Sequence, residues 1–132
     1  MEKAELRIGN WVSDGSKNFQ VPTGSFIDEN LIFLKPIPVT LKILKQSHFV
    51  RYGGADLPMA TENIFNGWTE GQIIIRFHMG VSVFRPTNRW TPRGIEEHQE
   101  EMHFIATIEH VHQLQNIYYD LFKTEIDLII HS

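Results

Sequence analysis

Four histidines, His98, His103, His110 and His112, stand close together late in the chain, among Glu96, Glu97, Glu100, Glu101 and Glu109. Imidazole and carboxylate together can ligate zinc, manganese or iron, and paired carboxylates can share acid–base work. The spacings complete no metal signature such as H-E-x-x-H. His110 and His112 point the same way only on a strand; on a helix they lie about 200° apart and cannot share an ion. The helical spacing of Leu114, Tyr118 and Leu121 draws His112 into a helix. Solvated or capping histidines are therefore expected ahead of a metal site. Glu96/Glu100 and Glu97/Glu101 have helical spacing, but like charges there oppose a helix. An exposed acidic loop or the approach to a strand is the expected account.

Two other groups can bind without catalysis. Gln113, Gln115 and Asn116 are amides that either grip a partner's backbone or satisfy neighbouring loops and water. Arg85-Pro86-Thr87-Asn88-Arg89-Trp90-Thr91-Pro92-Arg93-Gly94 carries three guanidinium groups and an indole with no acid among them. Its prolines and glycine preclude a regular helix and predict an extended loop. Bidentate donors beside a stacking face suit an anionic or planar partner. The plainer account folds Trp90 onto the core and pairs the arginines with the glutamates that follow. Gly53-Gly54 and Gly67/Gly71 lack the lysine of a phosphate loop, and no Gly-x-Ser-x-Gly elbow exists. The candidate binding residues are Arg85, Arg89, Trp90, Arg93, His112, Gln113 and Asn116. No catalytic residue, metal ligand or cofactor is expected.

The elements that must carry these residues fit one domain. A chain of 132 residues can bury roughly two-thirds of its unfolded surface without cross-links. It has no cysteine, which excludes disulfides, thiolate metal sites and cysteine nucleophiles. A reducing cytoplasm is the expected compartment. The N-terminus has no signal-peptide pattern, and no run approaches the ~20 apolar residues of a membrane span. The net charge of −4 does not favour nucleic acid as a partner for the whole molecule.

Hydrophobic alternation predicts strands at Leu6–Val12, with Leu6 and Ile8 on one face and a bulge or bend at Gly9. Further strands are predicted at Phe19–Val21 and Phe26–Leu34. Ser13-Asp14-Gly15-Ser16 is a turn. Pro36 and Pro38 exclude helix interior and central strand, and Thr40 caps a short helix running to about Ser47. Phe49–Tyr52 reads as a strand, and the segment from 48 to 70 is otherwise unreadable. Between 72 and 85 a hairpin is expected. A two-residue loop would mix core and solvent on both faces. A three-residue loop, His78-Met79-Gly80, pairs Phe77 with Val81 and Ile75 with Val83. It sends Arg76, Ser82, Ile74 and Phe84 to the other face and puts Gly80 where a left-handed residue is wanted. His103–Glu109 reads as a strand. Val111, Leu114, Ile117, Tyr118, Leu121 and Phe122 form one face of a closing helix, with His112, Asn116, Tyr119 and Lys123 opposite. Ile126–Ile130 is an apolar tail suited to an edge strand. The expected class is α+β: an antiparallel sheet, or two small curled ones, with a short central helix and a C-terminal helix packed on the sheet.

Glu5-Leu6-Arg7-Ile8-Gly9-Asn10-Trp11-Val12 resembles the opening of small uncharacterised proteins of bacterial prophages and other mobile elements. Val111-His112-Gln113-Leu114-Gln115-Asn116-Ile117-Tyr118-Tyr119 resembles their closing helix, and Pro36-Ile37-Pro38-Val39-Thr40 with its short helix fits between. The group's pattern has a glycine just after the closing helix, where this chain has Lys123. The resemblance covers about a third of the chain, leaves out residues 50 to 100, and carries no activity. It implies a compact accessory protein of a mobile element. A non-enzymatic protein with a protein partner is the leading expectation. A metal-dependent hydrolase using the cluster at 96–112, and a nucleotide or single-stranded nucleic-acid module using the loop at 85–94, are the alternatives.

Overall fold

The computed structural model describes residues 2–51, 62–66, 71–86 and 102–131. It is an α+β protein with two antiparallel sheets. The first sheet pairs β1 (Trp11–Ser13) with β2 (Asn18–Gln20). The second has the order β3-β4-β5-β6-β7, with β3 Val50–Arg51, β4 Glu62–Phe65, β5 Ile74–Phe77, β6 Val81–Pro86 and β7 Met102–Ile108. Among the described residues three α-helices complete it: α1 (Gly24–Asn30), α2 (Leu41–Gln46) and α3 (Val111–Phe122).

The opening is mostly turn rather than strand. A 3₁₀ turn spans Lys3–Glu5, and a second turn brings the Asn10 amide to the Arg7 carbonyl at 3.1 Å. The Asn10 side chain tightens that turn by accepting from the Arg7 amide at 2.7 Å. Asparagine and a positive φ of 91° at Gly9 favour this turn over an extended chain. Leu6 is buried and Ile8 exposed, so the two do not share a face. Strand pairing begins only at Trp11. The β1–β2 turn is held by Asp14, which accepts from the amides of Ser16 (2.8 Å) and Lys17 (2.9 Å). Those donors favour the ionised carboxylate and pull its pKa down to about 2.

Phe26–Leu34 is not a strand. Thr23 caps α1 by accepting from the Phe26 amide at 3.1 Å, and a 3₁₀ turn, Leu31–Phe33, follows the helix. The helix buries Ile27 against Leu6, Val12, Val21 and Leu34, a small core of its own. The cap decides the outcome, because it supplies an acceptor to one of the first turn's unpaired amides. Thr40 does the same for α2 through the Ile43 amide at 3.2 Å.

The β5–β6 hairpin has the three-residue loop. Phe77 lies opposite Val81, Ile75 opposite Val83, and Arg76 opposite Ser82. Gly80 has φ 129° and Met79 φ 51°. Ile73, Ile75 and Val83 are wholly buried on the face that meets Leu114 and Tyr118 of α3. One irregularity lies between Val83 and Phe84: Val83 pairs with Ala106 but Phe84 with Phe104, leaving Ile105 as the extra residue of a bulge. The tail at 126–130 forms no strand with the sheet. It lies extended over the core with Ile126 and Ile130 buried, tied by the Ile129 amide donating to Ser47 Oγ at 2.8 Å. Lys123 takes the left-handed conformation (φ 56°, ψ 28°) at the end of α3, the conformation a glycine there would adopt most easily.

Candidate functional site

The first two turns of α3 carry His112, Gln113, Gln115 and Asn116, and the opening segment packs against them. His110 precedes the helix with extended backbone. Gln113 reaches back so that its Oε1 accepts from the amides of Glu109 (2.8 Å) and His110 (2.9 Å). The His110 amide, one of the donors that a helix start leaves unpaired, is satisfied this way, and so is the amide of Glu109 just before the cap.

Gln115 and Asn116 serve the turn at 5–11. Gln115 is buried; its Oε1 accepts from the Trp11 amide at 2.8 Å and its Nε2 donates to the Gly9 carbonyl at 3.1 Å. Asn116 Nδ2 donates to the Glu5 carbonyl at 2.6 Å, and its Oδ1 accepts from Arg7 Nε at 2.8 Å and Asn10 Nδ2 at 3.0 Å. Arg7 completes the clasp. Its guanidinium forms a two-pronged pair with Glu125, at 2.6 and 3.1 Å, and lies 4.6 Å from the centre of the Tyr119 ring. The Glu125 hydrogen bond holds Arg7 still more firmly protonated than usual.

His112 is not on an exposed stripe. It is 1% exposed, and its Nε2 lies 3.2 Å from a Glu5 carboxylate oxygen. A carboxylate only accepts, so Nε2 carries the proton and Nδ1 holds a lone pair. That Nδ1 is buried without a hydrogen-bond partner among the described residues. Burial pushes the His112 pKa down; the hydrogen bond and charge of Glu5 oppose the shift without cancelling it. The His110 ring lies parallel to that of His112, with centroids 5.8 Å apart. The angular separation expected if both stood on a helix does not apply, because His110 lies outside α3. Two hollows flank the pair. One, of about 240 Å³, is lined by Glu5, Thr107, His112 and Asn116; the other, of about 260 Å³, by Glu5, Pro36, Glu109, His110 and His112. A neutral imidazole fixed by a carboxylate is the arrangement a general base uses, but here the free nitrogen faces no solvent. Among the described residues no set of three His, Asp or Glu side chains is arranged to hold a metal ion.

Of the segment expected as an arginine loop, only Arg85 and Pro86 are described, and both belong to the end of β6 rather than to a loop. Arg85 is exposed, with its guanidinium 5.2 Å from the centre of the Phe122 ring. Arg89, Trp90 and Arg93, together with Glu96, Glu97, His98, Glu100 and Glu101, lie outside the described residues. His103 is exposed on β7. Sequence reasoning did not single out Glu5, Arg7 or Asn10 as partners of the helix amides.

The other face of the second sheet has a different character. Phe65, Ile74, Arg76, Ser82, Phe84, Phe104 and Thr107 share it by register. Phe65 and Ile74 are buried, while Phe104 is 58% exposed. Phe104 meets Phe84 edge-on with centroids 5.6 Å apart, and the Arg76 guanidinium lies 4.9 Å from the Phe84 ring centre. No described helix is long and apolar enough to cross a membrane. Comparison of the chain with protein-family models, with curated proteins and with solved structures finds no match.

Proposed function

We propose that the protein is a non-enzymatic binding protein that works through protein contacts, in the mobile-element setting that its opening and closing segments imply. The observation that carries this reading is the exposed aromatic on the sheet's second face. Phe104 stands on β7, next to Phe84, which lies under Arg76. Protein interfaces are enriched in aromatic residues and arginine at their centres. The amides of Gln113, Gln115 and Asn116 support it in a negative way. Their hydrogen bonds are made within the chain, which leaves the apolar patch as the better recognition surface.

The test is affinity capture from bacterial cells that carry the protein, with wild type and Phe104→Ser side by side. A partner held by wild type should be lost from the variant, with Tm little changed because the ring is largely exposed. Loss of a central aromatic anchor costs about 2 kcal/mol or more, roughly thirtyfold in Kd. Equal capture by both proteins, or no partner enriched by either, would reject the reading.

A further inference from the structure

The buried imidazole of His112 has a property that neither packing nor a contact surface needs. One ring nitrogen is held by Glu5 and the other has no partner among the described residues. An unsatisfied buried acceptor is a cost that a carbon in its place would remove. The position is also unusual. His112 is the second residue of α3, at the positive end of the helix dipole, where a cation is disfavoured.

We propose that His112 is an acid-sensitive latch: while its ring is neutral it holds the opening segment, Lys3–Val12, against the first turn of α3, and a proton taken up at Nδ1 releases that segment. Protonation turns Nδ1 from a lone pair into a donor, and no acceptor faces it. The cation would sit in the interior, at the wrong end of the helix dipole, beside the parallel ring of His110. The titratable groups around it are few. Glu5 comes from the opening 3₁₀ turn, and His110 and Glu109 from the lead into α3. His110 opposes the charge on His112. The lining from β7 and from Pro36 is uncharged. Glu5 alone favours the charged ring. Its side chain is 44% exposed, so water screens that attraction, whereas the buried donor and the helix dipole are not screened in the same degree. Moving the ring to water satisfies both nitrogens at once. The Glu5 contact then goes, and the opening segment loses one of its ties to α3.

The sign follows from the direction of the shift. Burial lowers the folded-state pKa below the ordinary histidine value. The latch is therefore closed above that ordinary value and opens as pH falls toward the folded one. The experiment is hydrogen exchange on the full chain at pH 7.5 and 5.5, corrected for the intrinsic rate at each pH. Protection of the Gly9, Asn10 and Trp11 amides should fall about tenfold at the lower pH, while the β5–β6 hairpin amides keep theirs. In His112→Gln, which retains a donor toward Glu5 but does not titrate there, protection of these amides should not depend on pH. His110→Gln should behave as wild type. Titration of the His112 ring followed by NMR in the wild-type protein gives a readout free of any folding defect in a variant. Protonation of the ring should track the loss of protection. Unchanged protection at pH 5.5, an equal fall in His112→Gln, loss of the effect in His110→Gln, or ring protonation without loss of protection would each overturn the proposal.

Discussion

Replacing Gln115 by alanine tests whether the closing helix is built to hold the opening turn. The side chain is 3% exposed and forms two hydrogen bonds to the backbone of that turn. The two bonds differ in consequence. The Gly9 carbonyl keeps a second donor, Gln20 Nε2 at 3.0 Å, so its loss is partly covered. The Trp11 amide has Gln115 as its acceptor at 2.8 Å, and removal leaves a partly buried donor unmade, worth about 1–3 kcal/mol. Loss of the one buried methylene beyond Cβ adds about 0.8 kcal/mol. The expected destabilisation is therefore about 2–4 kcal/mol, a large share of the ~5–15 kcal/mol of an ordinary domain. Urea unfolding should show the midpoint falling with an unchanged m value. Gln115→Glu refines the test. Its carboxylate can still accept from Trp11 but sets a second oxygen against the Gly9 carbonyl. Burial and that repulsion raise the new carboxyl's folded pKa above its unfolded value of about 4.3. Its stabilising neutral form is complete below the unfolded pKa and lost as pH rises through the folded one. The variant should thus lie closer to wild type at pH 4 than at pH 7, each compared with wild type at the same pH. A loss below about 1 kcal/mol for Gln115→Ala, within the range of ordinary surface substitutions and their neighbours, would refute the reasoning.

Three further outcomes follow from the same packing. Leu114→Ala should cost about 2–5 kcal/mol in chemical denaturation, since Leu114 is wholly buried against the second sheet. Gly80→Ala should destabilise by about 1 kcal/mol or somewhat more; nothing lies near the added methyl, so the whole cost comes from the φ of 129°. Lys123→Gly should raise stability by about 0.5–1 kcal/mol, because the lysine holds a left-handed conformation that glycine adopts without steric cost. Thermal unfolding checks the sign directly, and a lower Tm for the glycine variant would contradict it.

Local signals account for what the sequence made legible. The β5–β6 register followed from alternation on both sides of Met79-Gly80, where a two-residue loop mixes the faces. Thr40 and the spacing of Leu41 and Leu44 marked α2. The face of α3 with Leu114 and Tyr118 was equally plain. The failures have local causes too. Phe26, Ile27, Ile32 and Phe33 have strand-favouring side chains, and they outweighed Thr23, whose cap hydrogen bond starts a helix. Leu6 and Ile8 alternate like a strand, but Asn10 closes a turn on Arg7 that no alternation reports. The strand at 62–65 gave no readable alternation of its own; its register comes from β5. The Arg7–Asn116 and Trp11–Gln115 contacts join residues more than a hundred positions apart, and a single sequence carries no signal for such pairs beyond their chemistry.

That long-range clasp gives the opening and closing segments a structural task. The opening segment is a turn before it is a strand, so part of its backbone lacks a ladder partner. Buried amides and carbonyls must still be paired. The Trp11 amide and the carbonyls of Glu5 and Gly9 find their partners on one helix, through Gln115 and Asn116. Two short segments at opposite ends of a chain can therefore vary together for a structural reason: a turn of this shape needs amides at these helix positions. Residues that serve recognition are then better sought where the clasp makes no demand. On the described surface the Phe84–Phe104 face of the second sheet is one such place, where an aromatic side chain stands in solvent without being required by the core.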